Sequence, residues 1–100
     1  MSMIDYEVTA IVPDGLRDAF ERFMIDRHIP DLIETGCFAS ASLLRSEPGR
    51  YRARYAAYDR ESLETYMTQH AERLRAHVAE TFPEGIKFER EEWEILASFK

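Results

Sequence analysis

Apolar and polar residues alternate through residues 3–12. Ile4, Tyr6, Val8, Ala10 and Val12 fall on one parity, and Asp5, Glu7, Thr9 and Ile11 on the other. A period of two with one greasy side predicts a half-buried strand. Pro13 and Asp14 end it, and Asp14 is suited to cap a helix. Leu16, Ala19, Phe20, Phe23 and Met24 then recur at threes and fours, with Arg17, Asp18, Glu21 and Arg22 pointing outward, which predicts a first amphipathic helix. Residues 37–45 read as a second strand and SEPG, 46–49, as a turn built on proline and glycine. Residues 51–58 read as a third strand. Tyr51, Ala53, Tyr55 and Ala57 share one face, and Arg50, Arg52 and Arg54 the other. Asp59 caps a second helix, whose stripe is Leu63, Tyr66, Met67, His70, Leu74, Val78 and Phe82 before Pro83 and Gly85 stop it. Residues 86–99 are expected to form a last strand, with Trp93, Ile95, Ala97 and Phe99 alternating, although the glutamates of FEREEWE are poor strand formers.

The order β-α-β-β-α-β, with right-handed crossovers, predicts an α+β ferredoxin-like fold: a four-stranded antiparallel sheet with both helices on one face. A chain of 100 residues implies one domain, 1–100. The uncovered face would carry Asp5, Glu7, Thr9, Ser40, Ser42, Arg52 and Arg54. Strands one and three are neighbours in this topology, so the acids and arginines can pair across them. Such a face can meet water or its own copy. The apolar side of the last strand, Trp93 to Phe99, is too greasy for a free edge and favours a homodimer.

One segment, HIPDLIETGCF at 28–38, combines several signals. The first helix should run to Arg27 or His28 and then break or kink, because Pro30 lacks an N–H and disfavours helical geometry at Ile29. Pro30 then opens a short new turn, DLIET, in which Leu32 and Ile33 pack inward. Gly36 supplies a left-handed cap, and Cys37-Phe38 begins the next strand. His28 is left without a structural duty in this reading.

HIPDLIETGCF, the later LETYMTQHAERLRAH and the closing FEREEWEIL together resemble a group of small bacterial proteins known only as a domain of unknown function, within the dimeric α/β-barrel superfamily. The resemblance covers essentially the whole chain. It implies two ferredoxin-like subunits that join their sheets into a barrel with the helices outside. It implies no particular activity, because that superfamily spans cofactor-free monooxygenases, haem-degrading enzymes, lactone isomerases, polyketide cyclases and ligand-sensing domains.

Composition narrows the partners. Hydrophobic residues make up 45% and charged residues 32%, an ordinary globular balance. A net charge of −6 argues against a nucleic-acid partner. Cys37 is the sole cysteine, which fits a reducing compartment. MSMIDYEV lacks the features of a signal peptide, and no apolar run nears the roughly 20 residues that span a bilayer. A soluble, cytoplasmic protein with no membrane partner is the expectation.

The candidate chemistry rests on few residues. His28 is suited to acid–base work if it faces the cleft between helix and sheet; its plain structural role is to meet the carbonyl end of a helix. His70 lies on the apolar stripe of the second helix and is expected to be buried. It is either a hydrogen-bonded core histidine or the partner of Tyr6 or Tyr55 in a pocket, where an imidazole and a phenol could bind a carboxylate or enolate. His77 lies two turns from His70, too far to share a metal, and no zinc-type spacing exists, so neither a metal site nor a cofactor is expected. Cys37 reads as a small buried hydrophobe, with a catalytic thiolate or a place beside the ligand as the sharper alternatives. RYRARY reads as structural pairing rather than a nucleic-acid stripe. Two functions follow. One is a homodimeric binding or accessory module whose cleft, lined by Tyr6, Phe23, His28, Tyr55 and His70, holds a small, partly apolar molecule. The other is a cofactor-independent monooxygenase, isomerase or cyclase that uses a histidine as acid or base.

Overall fold

The N-terminal alternation forms β1 (Ile4–Ile11) in a computed structural model that describes residues 2–100. A short 3-10 turn, Asp14–Leu16, leads into α1 (Arg17–Phe23). Asp14 makes no capping bond; it pairs with Arg17 at 3.1 Å instead. A wide π-helical turn, Met24–His28, continues into α2 (Ile29–Glu34). β2 (Phe38–Glu47) and β3 (Arg50–Ala57) form a hairpin, followed by α3 (Arg60–Gln69), α4 (Ala71–Thr81) and β4 (Lys87–Glu94). The sheet is antiparallel in the order β2-β3-β1-β4, which is the ferredoxin-like arrangement.

The faces divide as the alternation requires. Ile4, Tyr6, Ala10, Tyr51, Ala53, Tyr55 and Ala57 are buried together with Phe20, Met24 and Leu32 from the first helical run and Leu63, Tyr66, Ala71 and Leu74 from the second. Both runs therefore cover the same side. Four rings form the centre. Tyr6 stacks on Tyr55 at 5.8 Å, and Phe38 meets Tyr66 edge-on at 5.0 Å; such pairs add to what burial alone contributes. On the open side Arg54 pairs with Asp5 at 2.9 Å and Glu7 at 3.3 Å, and Arg52 reaches Glu7 at 3.6 Å.

Three expectations need correcting. The helix does not break at Pro30. His28 and Ile29 keep helical dihedrals, and the Ile29 N–H bonds the carbonyl of Met24, five residues back. A wide turn just ahead of the proline absorbs the missing donor. The second helix is not continuous. His70 has φ −127° and ψ −33°, and it separates α3 from α4. The last strand stops at Glu94. Ile95 still donates to the Met3 carbonyl at 2.9 Å, but the tail beyond is irregular, with Leu96 85% and Phe99 92% exposed. The pairing with β1 ends there, and alternation alone holds no strand without a neighbour's hydrogen bonds. The Asp59 cap on Ser62 (2.8 Å) and the positive φ of 80° at Gly36 follow the sequence reading.

Candidate functional site

Between the helices and the sheet lies a cavity of about 30 Å³, lined from every layer. The sheet contributes Tyr6, Val8, Tyr55, Phe88 and Arg90; the helical layer adds Met24, His28, Leu32, Tyr66, Arg75 and Val78. A space of that size holds one or two waters.

The wide turn explains how His28 gets there. Phe20, Met24, His28 and Leu32 are spaced by fours. On an α-helix of 3.6 residues per turn, each step of four drifts by about 40°, so four such residues spread over about 120°. The extra residue in the π-helical turn takes up part of that drift. Phe20, Met24 and Leu32 are all buried, and His28 lies on the same side, facing the cavity.

His28 stacks on Phe23, with ring centroids 5.8 Å apart and planes within 20°. Burial pushes its pKa down to about 4; Asp31 opposes the shift, while His77 and Arg90 add to it. The ring is thus neutral near pH 7, with one N–H to donate and one lone pair to accept. Burial also pushes the phenols of Tyr55 and Tyr66 upward, so both are protonated. Tyr55 is 1% exposed, and its hydroxyl has no hydrogen-bond partner. Arg75 donates from Nη2 to the Tyr6 hydroxyl at 3.0 Å and to the Met67 sulfur at 3.6 Å, while its buried Nε has no partner. Arg90 lies over the Phe88 ring at 5.7 Å.

The structure gathers Tyr6, Tyr55 and His28 around one cavity, with Phe23 behind the imidazole. It places His70 elsewhere. The helix break carries that side chain off the expected stripe, half-buried, with Nδ1 3.3 Å from Arg73. Cys37 is buried outside the cavity, its thiol 3.9 Å from the Thr35 carbonyl. Sequence reasoning missed Arg75, Arg90 and Tyr66. Arg75 stands four after Ala71 and three before Val78, which is stripe spacing, and Arg90 shares its parity with Phe88. Among the described residues, no three His, Cys, Asp or Glu side chains are arranged to hold a metal ion.

Residues 3–96 match the family described as a domain of unknown function, DUF4286. The chain belongs to that family. This DUF4286 protein is also similar in structure to NE2512, a protein of unknown function from Nitrosomonas europaea, at 19% identity over 100% of this chain and 95% of that one, with a TM-score of 0.72. A dimeric ferredoxin-like protein from an uncultured marine organism matches at 11% identity over 99% and 100%, with a TM-score of 0.74. The haem degrader MhuD from Mycobacterium tuberculosis, solved with two haems in its active site, matches at 20% identity over 97% and 99%, with a TM-score of 0.69. At these identities the likeness shows the fold. No curated protein matches the DUF4286 chain. Among the described residues, no helix is long and apolar enough to cross a membrane.

Proposed function

We propose that this DUF4286 protein is a small-molecule-binding module that works as a homodimer and holds a partly apolar ligand in its helix–sheet cleft. One observation carries the reading: Tyr55 and Arg75 both line the cavity, and each keeps a buried polar atom without a partner. Folded proteins rarely leave such atoms unmet, because each costs about 1–3 kcal/mol. A site that awaits a ligand keeps them.

The open sheet face supports the dimer. Its ion pairs are already formed within one chain, and Trp93, paired opposite Asp5, is 56% exposed on that side. The dimeric ferredoxin-like neighbour supports the same assembly. The lone, buried Cys37 is in keeping with a reducing, cytoplasmic setting.

A thermal-shift screen of small organic molecules tests the cleft, run on the parent chain, His28→Ala and His70→Ala. The reading expects hits whose shift disappears in His28→Ala and persists in His70→Ala. Hits that survive both changes would move the ligand elsewhere. Light scattering behind gel filtration tests the dimer, and a monomeric mass would remove it.

The neutral imidazole of His28 favours a second reading, a cofactor-independent enzyme in which it accepts a proton from the substrate. Turnover of a screening hit, lost in His28→Ala, would establish it; hits recovered unchanged would leave a binder.

A further inference from the structure

We infer that the ligand's polar end is a carboxylate, met by the Arg75 guanidinium with the Tyr55 hydroxyl beside it and Arg90 adding positive charge. The inference rests on the cleft-binding reading and specifies its chemistry.

The first argument is charge. Five arginines, at 17, 45, 52, 54 and 60, have an acid within 4 Å. The two that line the cavity have none among the described residues, and no Asp or Glu lines it with them. A solvated arginine needs no partner. Arg75 is different: its Nε is shut off from water and still unmet, which is costly for a cation unless an anion arrives. The chain as a whole carries −6, so this positive lining is local and runs against the average.

The second argument is shape. The cavity of about 30 Å³ holds one or two waters, so any anion must part its walls, and a flat three-atom carboxylate asks less of them than a five-atom phosphate. A guanidinium presents parallel N–H groups that match two coplanar oxygens. The Tyr55 hydroxyl, protonated and unpaired, is a further donor on the same lining. The remaining walls, Val8, Met24, Leu32, Val78 and Phe88, are apolar and suit a short hydrocarbon body.

The test compares butyrate with butyramide and 1-butanol, which have similar bodies and no charge, and with inorganic phosphate. Binding is followed by amide chemical shifts at pH 7 in the parent, Arg75→Gln, Tyr55→Phe and, as a surface control, Arg22→Gln. The expected result is butyrate at least tenfold tighter than butyramide in the parent and in Arg22→Gln, no preference in Arg75→Gln, and an intermediate loss in Tyr55→Phe. Amide dispersion reports whether each variant is folded, and Tyr55→Phe keeps the test open if Arg75→Gln is not. Equal binding of butyrate and butyramide would overturn the carboxylate while leaving a cleft binder. Phosphate outcompeting butyrate would also overturn it. If none of the four binds the folded parent, the carboxylate assignment falls, and the His28→Ala screen decides separately whether the cleft reading falls with it.

Discussion

The Arg75 guanidinium donates to the Tyr6 hydroxyl at 3.0 Å, and that bond ties α4 to the middle of the sheet. The Tyr6 ring stacks on Tyr55 and lies 5.8 Å from Tyr66, so the same residue belongs to the core and to the cavity wall. The cavity wall is fixed on this side by the core, and room for a ligand's body must come from the partly buried Val8 and Phe88.

Tyr6→Phe removes the acceptor and leaves the ring. It should cost about 1.5 to 3 kcal/mol, the usual range for a hydrogen bond to a charged group. In a cycle with Arg75→Met, most of that cost should vanish, because no donor is left unmet. Urea unfolding of the four proteins measures this; additive costs would mean that the bond contributes nothing.

Tyr55→Phe should go the other way. The hydroxyl is buried with no partner, so its removal is expected to stabilise the ligand-free chain by about 0.5 to 1 kcal/mol. A higher urea midpoint with an unchanged slope is the signature. A lower midpoint would show that the hydroxyl has a partner in solution.

His28 should make stability depend on pH in a defined window. Its folded pKa of about 4 lies below the ordinary 6.5. As pH falls through 6.5 the unfolded chain takes up a proton that the folded chain refuses until about pH 4. Stability from this group is therefore complete above the unfolded value and is lost progressively down to the folded one, by about 2 to 3 kcal/mol. The groups facing the ring are Asp31 from its own helical run, His77 from α4 and Arg90 from β4. Between pH 7 and 4.5 the parent should lose more stability than His28→Gln, as urea midpoints at the two pH values will show. Parallel losses would place the imidazole in water.

Two glycines separate conformational strain from collision. Gly36 has φ 80° with nothing within 4 Å of a Cβ placed there, so Gly36→Ala should cost about 1 kcal/mol, and Gly36→Val somewhat more. At Gly49, φ 85°, a Cβ would sit 2.8 Å from the Val12 carbonyl oxygen and 2.6 Å from Arg17 Nη2. The Gly49 carbonyl also accepts from the Val12 N–H at 2.8 Å, so the backbone cannot retreat freely. Gly49→Ala should cost more than Gly36→Ala, by about 1 kcal/mol or more. Equal thermal midpoints would contradict this ordering.

The strand faces, the open-side ion pairs, the Asp59 cap and the Gly36 cap were legible because each follows from local periodicity or from one residue's backbone preference. His28 was legible as a residue without a structural duty, and the structure gives it a place on the cavity wall. Arg75 and Arg90 were not. An arginine next to an apolar stripe reads as solvated, yet its long stem can lie along that stripe with the head turned inward. The break at His70 was hidden for a related reason: threes and fours continue across it in the sequence, and only packing reveals that the rod is in two pieces. The end of β4 depended on where its pairing with β1 stops, which is a property of two segments at once.

The turn at Met24–His28 contains one residue more than regular winding requires. Were the same residues wound as ordinary α-helix, everything upstream would swing by about 100° relative to Leu32. The repaired rod would be the more regular one, and His28 and Phe20 would no longer look the same way. The irregularity that aims the imidazole is therefore also the place where a change of winding, with every residue kept, would silence this pocket and spare the sheet.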